Sequence, residues 1–309
     1  MSNITQRLWI VNECHDCPLS KWYSLDRSRR NHQLKKKLLA DIHSLTIIPV
    51  SEWLGDNIRQ SHLKNRPIQV IHNGIDIHTF SPQPKDVHER YGIVKGKAIV
   101  LGVASVWDAR KGLNDFYELA RRLSPDESAI VIVGQLTEDA KKIENGCQMV
   151  FVDRTQNALE LAQLYSSAAV FLNPTYQDNY PTTNLEALAC GTPVITYRTG
   201  GSPEAVDENT GVVVEQGDVD GLERTFIQNI IFFNWLPGSV ALMRRSISGK
   251  NAEGIRQPEA YITRRDTANV VIIQACLPWQ MRQIKSSSAH EKNAHTKQET
   301  SARPIKKAG

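Results

Sequence analysis

TYQDNYPTTNLEALACGTPVITYRTGGSPE, residues 175–204, is the stretch on which the reading of this chain turns. It follows the apolar run VFLN, 170–173, and encloses the next one, VITY, 194–197. Between them lies a polar loop, 177–180, and then Pro181, whose fixed φ pre-sets the first turn of a helix starting at Thr182 to Asn184. Gly191 closes that helix. Strand, loop, helix, turn and strand in this order make a βαβ unit with parallel strands.

Outward from this unit the same alternation continues. Short β-rich apolar runs lie at 45–49, 68–72, 98–103, 129–133, 149–152 and 212–214. Most are continuous rather than alternating, so both faces of the sheet are expected to be covered. Leu113, Phe116, Leu119, Ala120 and Leu123 recur at helical spacing, as do Leu161, Leu164, Tyr165 and Ala168, each giving one apolar stripe for a helix packed on the sheet. The expected fold class is α/β with a parallel, Rossmann-like sheet.

FSPQPKD, 80–86, with Pro82 and Pro84, marks a boundary. Only two strand-like runs precede it, too few for an independent open sheet. Beyond residue 222 the periodicity fails, and the last stretch, rich in Ser, Lys, His, Gln and Ala, has a disordered composition. The expected organisation is a partial domain at 1–82, a complete domain at 83–221, and an irregular or disordered tail at 222–309.

Bulk properties exclude several classes. A chain of 309 residues with 40% apolar and 23% charged residues can bury a substantial core. Its net charge of +4 is too small to demand a nucleic acid, though it suits phosphate-rich ligands or an anionic membrane surface. The longest apolar stretch, 226–236, is broken by Gln228, Asn229 and Asn234 and falls short of the ~20 residues of a spanning helix. The N-terminus shows no export leader, so a cytoplasmic protein with its five cysteines reduced is expected. Cys14 and Cys17 form one C-x2-C pair to which His15 or His43 could contribute, but no second pair completes a metal site, and none is expected.

Two places can carry chemistry. The helix start at Thr182, Thr183 and Asn184 offers free backbone N–H groups, hydroxyls and the positive end of a dipole, at the sheet edge where ligands of open α/β proteins bind. Asp178 and Glu186 flank it, two carboxylates suited to sugar hydroxyls. The second place is SVWDARKG, 105–112, which puts Arg110 and Lys111 at the mouth of the next helix, where cations meet a diphosphate. Taken singly, each has a plainer reading as an N-cap or a solvated surface charge.

Together these residues resemble a family, the retaining GT-B glycosyltransferases of family 4, in particular bacterial enzymes of colanic-acid and exopolysaccharide synthesis. The resemblance rests on VIHNGIDIHTFSP (70–82), DARKG (108–112) and NYPTTNLEALACGTPVITYRTGGSPEAV (179–206). It implies transfer of a hexose from a nucleoside-diphosphate sugar, with retention, to a saccharide or lipid-linked acceptor, in the cytoplasm or at the inner face of the membrane. It implies no cofactor. Glu186 would hold the nucleotide ribose, Asp178 the donor sugar, and Lys111 the diphosphate together with the backbone around Thr182, Thr183 and Asn184. Asn73 and Gly74 would line the cleft between domains, Gly74 being free to take a positive φ.

Three departures accompany the resemblance. The first of the family's paired glutamates is here Asp178, and the arginine usually found shortly before the lysine is replaced near Ser105, leaving Arg110 as its possible substitute. The family's glycine-rich first strand and further N-terminal units have no counterpart in 1–82, and CHDCP resembles a cysteine-containing loop downstream of the family's histidine, so His15 is given no catalytic role. The stretch after DVDGL, from 223 onward, does not resemble the family's continuation and reads as foreign or frameshifted. An inactive or donor-binding-only fragment is therefore the alternative expectation.

Overall fold

The computed structural model describes residues 27–43, 45–83, 86–136 and 146–233, which lie within one compact unit. Cys14, His15, Cys17 and the chain beyond Phe233 fall outside these residues. In chain order the elements are α1 (Ser28–Ala40), α2 (Glu52–Arg59), β1 (Ala98–Val106), α3 (Leu113–Arg122), β2 (Ser128–Gln135), β3 (Gln148–Val152), α4 (Ala158–Ser167), β4 (Val170–Asn173), α5 (Thr182–Ala189), β5 (Val194–Tyr197), β6 (Gly211–Val214) and α6 (Val219–Phe233). Short 3-10 turns occur at Ala109–Lys111 and Ser202–Ala205.

The six strands form a single parallel sheet in the order β3-β2-β1-β4-β5-β6. Chain direction across the sheet reverses between β1 and β4, and the loops leaving these two strands part there to form a crevice beyond their carboxyl ends. Every run read from 98 onward as a strand is one.

The continuous apolar runs have the expected cause. Successive strand residues point to opposite faces, and both faces carry helices. Ile99 and Leu101 of β1 pack with Ala162, Leu164 and Tyr165 of α4 and with Ala187 and Leu188 of α5. Val100 belongs to the other face, with Phe116 and Leu119 of α3 and Leu222 and Phe226 of α6. Full burial of a ring such as Phe116 contributes about 1.5–3 kcal/mol. Gly102 makes room for it, since a Cβ there would sit 2.5 Å from Phe116 Cζ.

Two expectations are corrected. The runs at 45–49 and 68–72 do not form full strands but meet in a single parallel bridge, Ile47 to Ile68. Pro49 and Pro67 have no N–H, so the pairing stops at Ile47 N to Pro67 O, Gln69 N to Ile47 O and Ile71 N to Pro49 O. The pattern also does not fail at 222, because α6 runs through to Phe233 with Leu222 and Phe226 buried. Among its described side chains the large buried ones are Leu222 and Phe226, set one turn apart.

α1 sits apart from the sheet. Its C-terminal carbonyls of Leu39 and Ala40 accept from the Arg66 guanidinium at 3.1 and 3.0 Å, and His32 meets the His62 ring edge-on at 5.4 Å. The helix thus turns its His32 side inward.

Candidate functional site

The loop after β1 is built on Asp108. Its carboxylate accepts from Arg110 N, Nε and a terminal guanidinium nitrogen at 2.9, 3.0 and 2.6 Å. Burial alone would raise the Asp108 pKa, but the Arg110 guanidinium and the N–H groups of Arg110 and Lys111 hold it below the ordinary carboxylate value. Gly112 then turns the chain at φ +75°, 2.1 Å from Pro174 O to the position of any Cβ it might carry. The β1 loop is thereby pressed against the β4 loop, and the Arg110 carbonyl accepts from Tyr176 N at 2.7 Å and from Thr175 Oγ1 at 3.2 Å.

Lys111 crosses this contact. Its Nζ donates to Asp178 Oδ2 at 2.7 Å, with the two side chains 34% and 19% exposed. The pair lies at the switch point between β1 and β4, half-shielded, where an anion could exchange with the carboxylate on the lysine.

Asp178 is held from behind by Gly200 and Gly201. A Cβ on Gly200, at φ +53°, would meet Asp178 O at 1.9 Å, and one on Gly201 would meet Asn179 O at 2.0 Å. No side chain caps α5, because Pro181 at the N-cap carries no acceptor; half-buried Thr182 and Thr183 form its first turn. Glu186 stands one turn further on and accepts from Tyr165 OH at 3.0 Å. Burial raises its pKa, partly offset by hydrogen bonds from Tyr165 and Thr182.

Not every residue expected at the site joins it. The Arg110 guanidinium folds back on Asp108, so its contribution to the group is its backbone carbonyl. The Asn184 side chain is fully buried and committed: Oδ1 accepts from Asn173 Nδ2 at 2.8 Å, and Nδ2 donates to Ser202 Oγ and O at 3.1 and 3.2 Å. It ties α5 to β4 and to the 202 turn. Asn184→Ala should therefore lower stability by about 1–3 kcal/mol, read as a shift of the urea midpoint, since Asn173 is left with an unmet buried donor. Gly74 is exposed and is not among the positive-φ glycines; Asn73 is half-buried in the irregular segment before the 77–79 turn.

From that segment the residue that reaches the sheet domain is His72. Its ring stacks on Tyr180 at 4.6 Å and its Nε2 lies 3.3 Å from Glu204 Oε2, at ion-pair distance but outside hydrogen-bond geometry. Glu204 in turn accepts from Glu52 N and Trp53 N. Sequence reasoning passed over these residues, as it did Asp115, a buried carboxylate that accepts from Tyr176 OH at 3.2 Å and Tyr197 OH at 2.9 Å. Burial raises the Asp115 pKa, and the Tyr176 phenol beside it is pushed up to about 12, first by burial and then by that carboxylate. Among the described residues no cluster of three or more His, Cys, Asp or Glu could hold a metal ion.

Residues 97–230, from the edge of β1 into α6, match the family described as glycosyl transferases group 1. The chain is 27% identical over 183 residues to the sulfoquinovosyl transferase SQD2 of Arabidopsis thaliana, covering 57% of this chain and 36% of that one. It is 33% identical over 191 residues to a GDP-mannose-dependent alpha-(1-6)-phosphatidylinositol monomannoside mannosyltransferase of Mycolicibacterium smegmatis, covering 56% and 50%. The chain thus spans a third to a half of the length of these relatives. Among solved structures, the sucrose-phosphate synthase of Thermosynechococcus elongatus superposes with a TM-score of 0.63 at 22% identity, over 79% of this chain and 63% of that one. That likeness is one of fold: the parallel-sheet α/β architecture of GT-B glycosyltransferases.

Proposed function

We propose that this chain binds a nucleoside-diphosphate sugar at the β1–β4 switch point and transfers its hexose, with retention, to a saccharide or lipid-linked acceptor in surface polysaccharide synthesis. The observation that carries the reading is the Lys111–Asp178 pair, set beside the uncapped start of α5. A diphosphate offers Lys111 a stronger anionic partner than one carboxylate, and the Thr182 and Thr183 N–H groups add the helix dipole. Asp178, released from the lysine, is then free to accept from donor-sugar hydroxyls. Glu186, buried on one side against Tyr165, is the acceptor for a ribose hydroxyl.

The chemistry asked of the protein is modest. The glycosidic bond to the diphosphate breaks, and negative charge grows on the leaving phosphate oxygen. Once the diphosphate has displaced Asp178 from Lys111, the lysine and the α5 dipole stand against that growing charge. The rest is orientation of donor against acceptor.

Calorimetric titration of the purified chain with UDP, GDP, UDP-glucose and GDP-mannose tests the reading. Saturable binding of one pair, followed by hexose transfer from the sugar conjugate, is the expected result; a folded chain that binds none of the four sinks it.

A lipid-linked acceptor would be met at a membrane surface, and α1 supports that part of the proposal. Leu34 and Leu38, one turn apart, are 51% and 57% exposed on the side opposite His32, which faces His62. Arg30 and Lys37 lie within a turn of them on the same side. Apolar tips flanked by cations suit the headgroup boundary of an anionic bilayer. Leu34→Ser with Leu38→Ser should lower partitioning onto phosphatidylglycerol vesicles by about an order of magnitude, measured by co-sedimentation. Equal partitioning of variant and parent would remove the membrane from the proposal. No helix among the described residues is long and apolar enough to cross a bilayer.

A further inference from the structure

The contacts around Glu204 have a form that a simple surface acid does not need. Its two carboxylate oxygens each take a backbone N–H at 2.8 Å, Oε2 from Glu52 and Oε1 from Trp53, the first two residues of α2. That helix already has its own cap, since Ser51 Oγ accepts from Leu54 N at 3.1 Å. Glu204 therefore satisfies two of the donors that the local cap leaves open, from 151 and 152 residues away. Its Oε2 also faces His72, and the His72 ring lies flat on Tyr180.

Tyr180 belongs to the loop that carries Asp178, and a second contact reaches the same loop. Gly201 sits where a Cβ would strike Asn179 O at 2.0 Å and, from the other side, Ser51 Cβ and Oγ at 2.7 and 2.9 Å. Three separate segments thus close on one point: the start of α2, the segment carrying His72, and the 178–181 loop. Glu204, three residues beyond Gly201, bonds the start of α2 directly, stands at ion-pair distance from His72, and reaches the 178–181 loop through the stack of His72 on Tyr180.

We infer that Glu204 is a positioning residue, which clamps the 178–181 loop against the segment containing Ser51 and His72 and so sets where Asp178 and the start of α5 stand. Only the consequence for ligand binding rests on the glycosyltransferase reading.

The test is Glu204→Gln in the full chain, followed by hydrogen exchange of peptides covering 52–59 and 175–181, and by the dissociation constants of UDP and GDP. Glutamine keeps the length but can accept only one of the two amides, and its own NH2 faces the other. Exchange should quicken at both peptides, and the nucleotide that the parent binds should be held about ten-fold more weakly, the scale of one lost hydrogen bond to a charged group. Glu204→Asp, one carbon shorter, should not restore either. Faster exchange confined to 52–59, with 175–181 and nucleotide affinity unchanged, would overturn the inference and leave Glu204 a remote helix cap. If the parent binds neither nucleotide, the glycosyltransferase reading falls while the exchange at 175–181 still decides the clamp. Should Glu204→Gln lose its circular dichroism signature, His72→Gln, which removes the stack on Tyr180 and the contact with Glu204 but leaves the Glu52 and Trp53 amides bonded to Glu204, carries the same exchange comparison: quickened exchange at 175–181 upholds the clamp, and unchanged exchange there overturns it.

Discussion

Lys111→Ala is expected to weaken nucleoside-diphosphate binding by at least about 100-fold. A hydrogen bond between charged partners contributes about 1.5–3 kcal/mol, which is roughly ten- to a hundred-fold in affinity. Here the loss is larger than one contact, because the variant also strands Asp178, whose carboxylate would face the incoming phosphates without its cation. The opposing variant separates these effects. Asp178→Asn frees Lys111 from its partner, so UDP or GDP alone should bind as tightly as in the parent or more so, while transfer of the sugar falls. Calorimetry on both variants reads this directly. If Lys111→Ala binds nucleotide like the parent, the diphosphate does not lie at the switch point, and the proposed donor site is in the wrong place.

Gly112→Ala should damage stability and binding together. The residue holds φ +75°, a region that costs a non-glycine residue about 1–3 kcal/mol, and its Cβ would lie 2.1 Å from a backbone oxygen that cannot swing aside, Pro174 O. To relieve that overlap the β1 and β4 loops must separate, which pulls Lys111 away from Asp178. Gly92→Ala supplies the control, since Gly92 has φ +63° but nothing within 4 Å of its would-be Cβ. The control should lose only the backbone part, a few degrees of melting temperature, and leave nucleotide affinity intact. Gly112→Ala should fall further, by about 5–10 °C, and lose affinity as well. Equal losses in the two variants would mean that the contact between the loops does not matter.

Much of the architecture could be read before any coordinates. Leu113, Phe116, Leu119, Ala120 and Leu123 are all buried as their spacing required, and the continuous runs at 129–133, 170–173 and 194–197 are buried throughout. Lys111 and Asp178 were both named from their places after strands, but the 2.7 Å contact between them depends on β1 and β4 being neighbours. Chain order does not disclose that adjacency, since β2, β3 and their helices intervene.

Asn184 at a helix start and Arg110 beside a lysine have the chemistry of ligand contacts, yet other residues hold their side chains: Asp108, two positions before Arg110, within one loop, and Asn173 and Ser202, brought to Asn184 by the fold. Partners of the second kind are not written in the local sequence. Glu204 makes the point most sharply, for nothing near it in the chain hints at amides more than a hundred residues earlier.

What the amino-acid order determined by itself is what local physics controls: periodicity, proline and glycine turns, and hence the βαβ layout with charged groups at strand ends. The tertiary structure alone decided which of those groups meet, because strand adjacency and the closing of Ser51, His72 and the 178–181 loop on Glu204 are set by the packing of distant segments, not by any spacing along the chain.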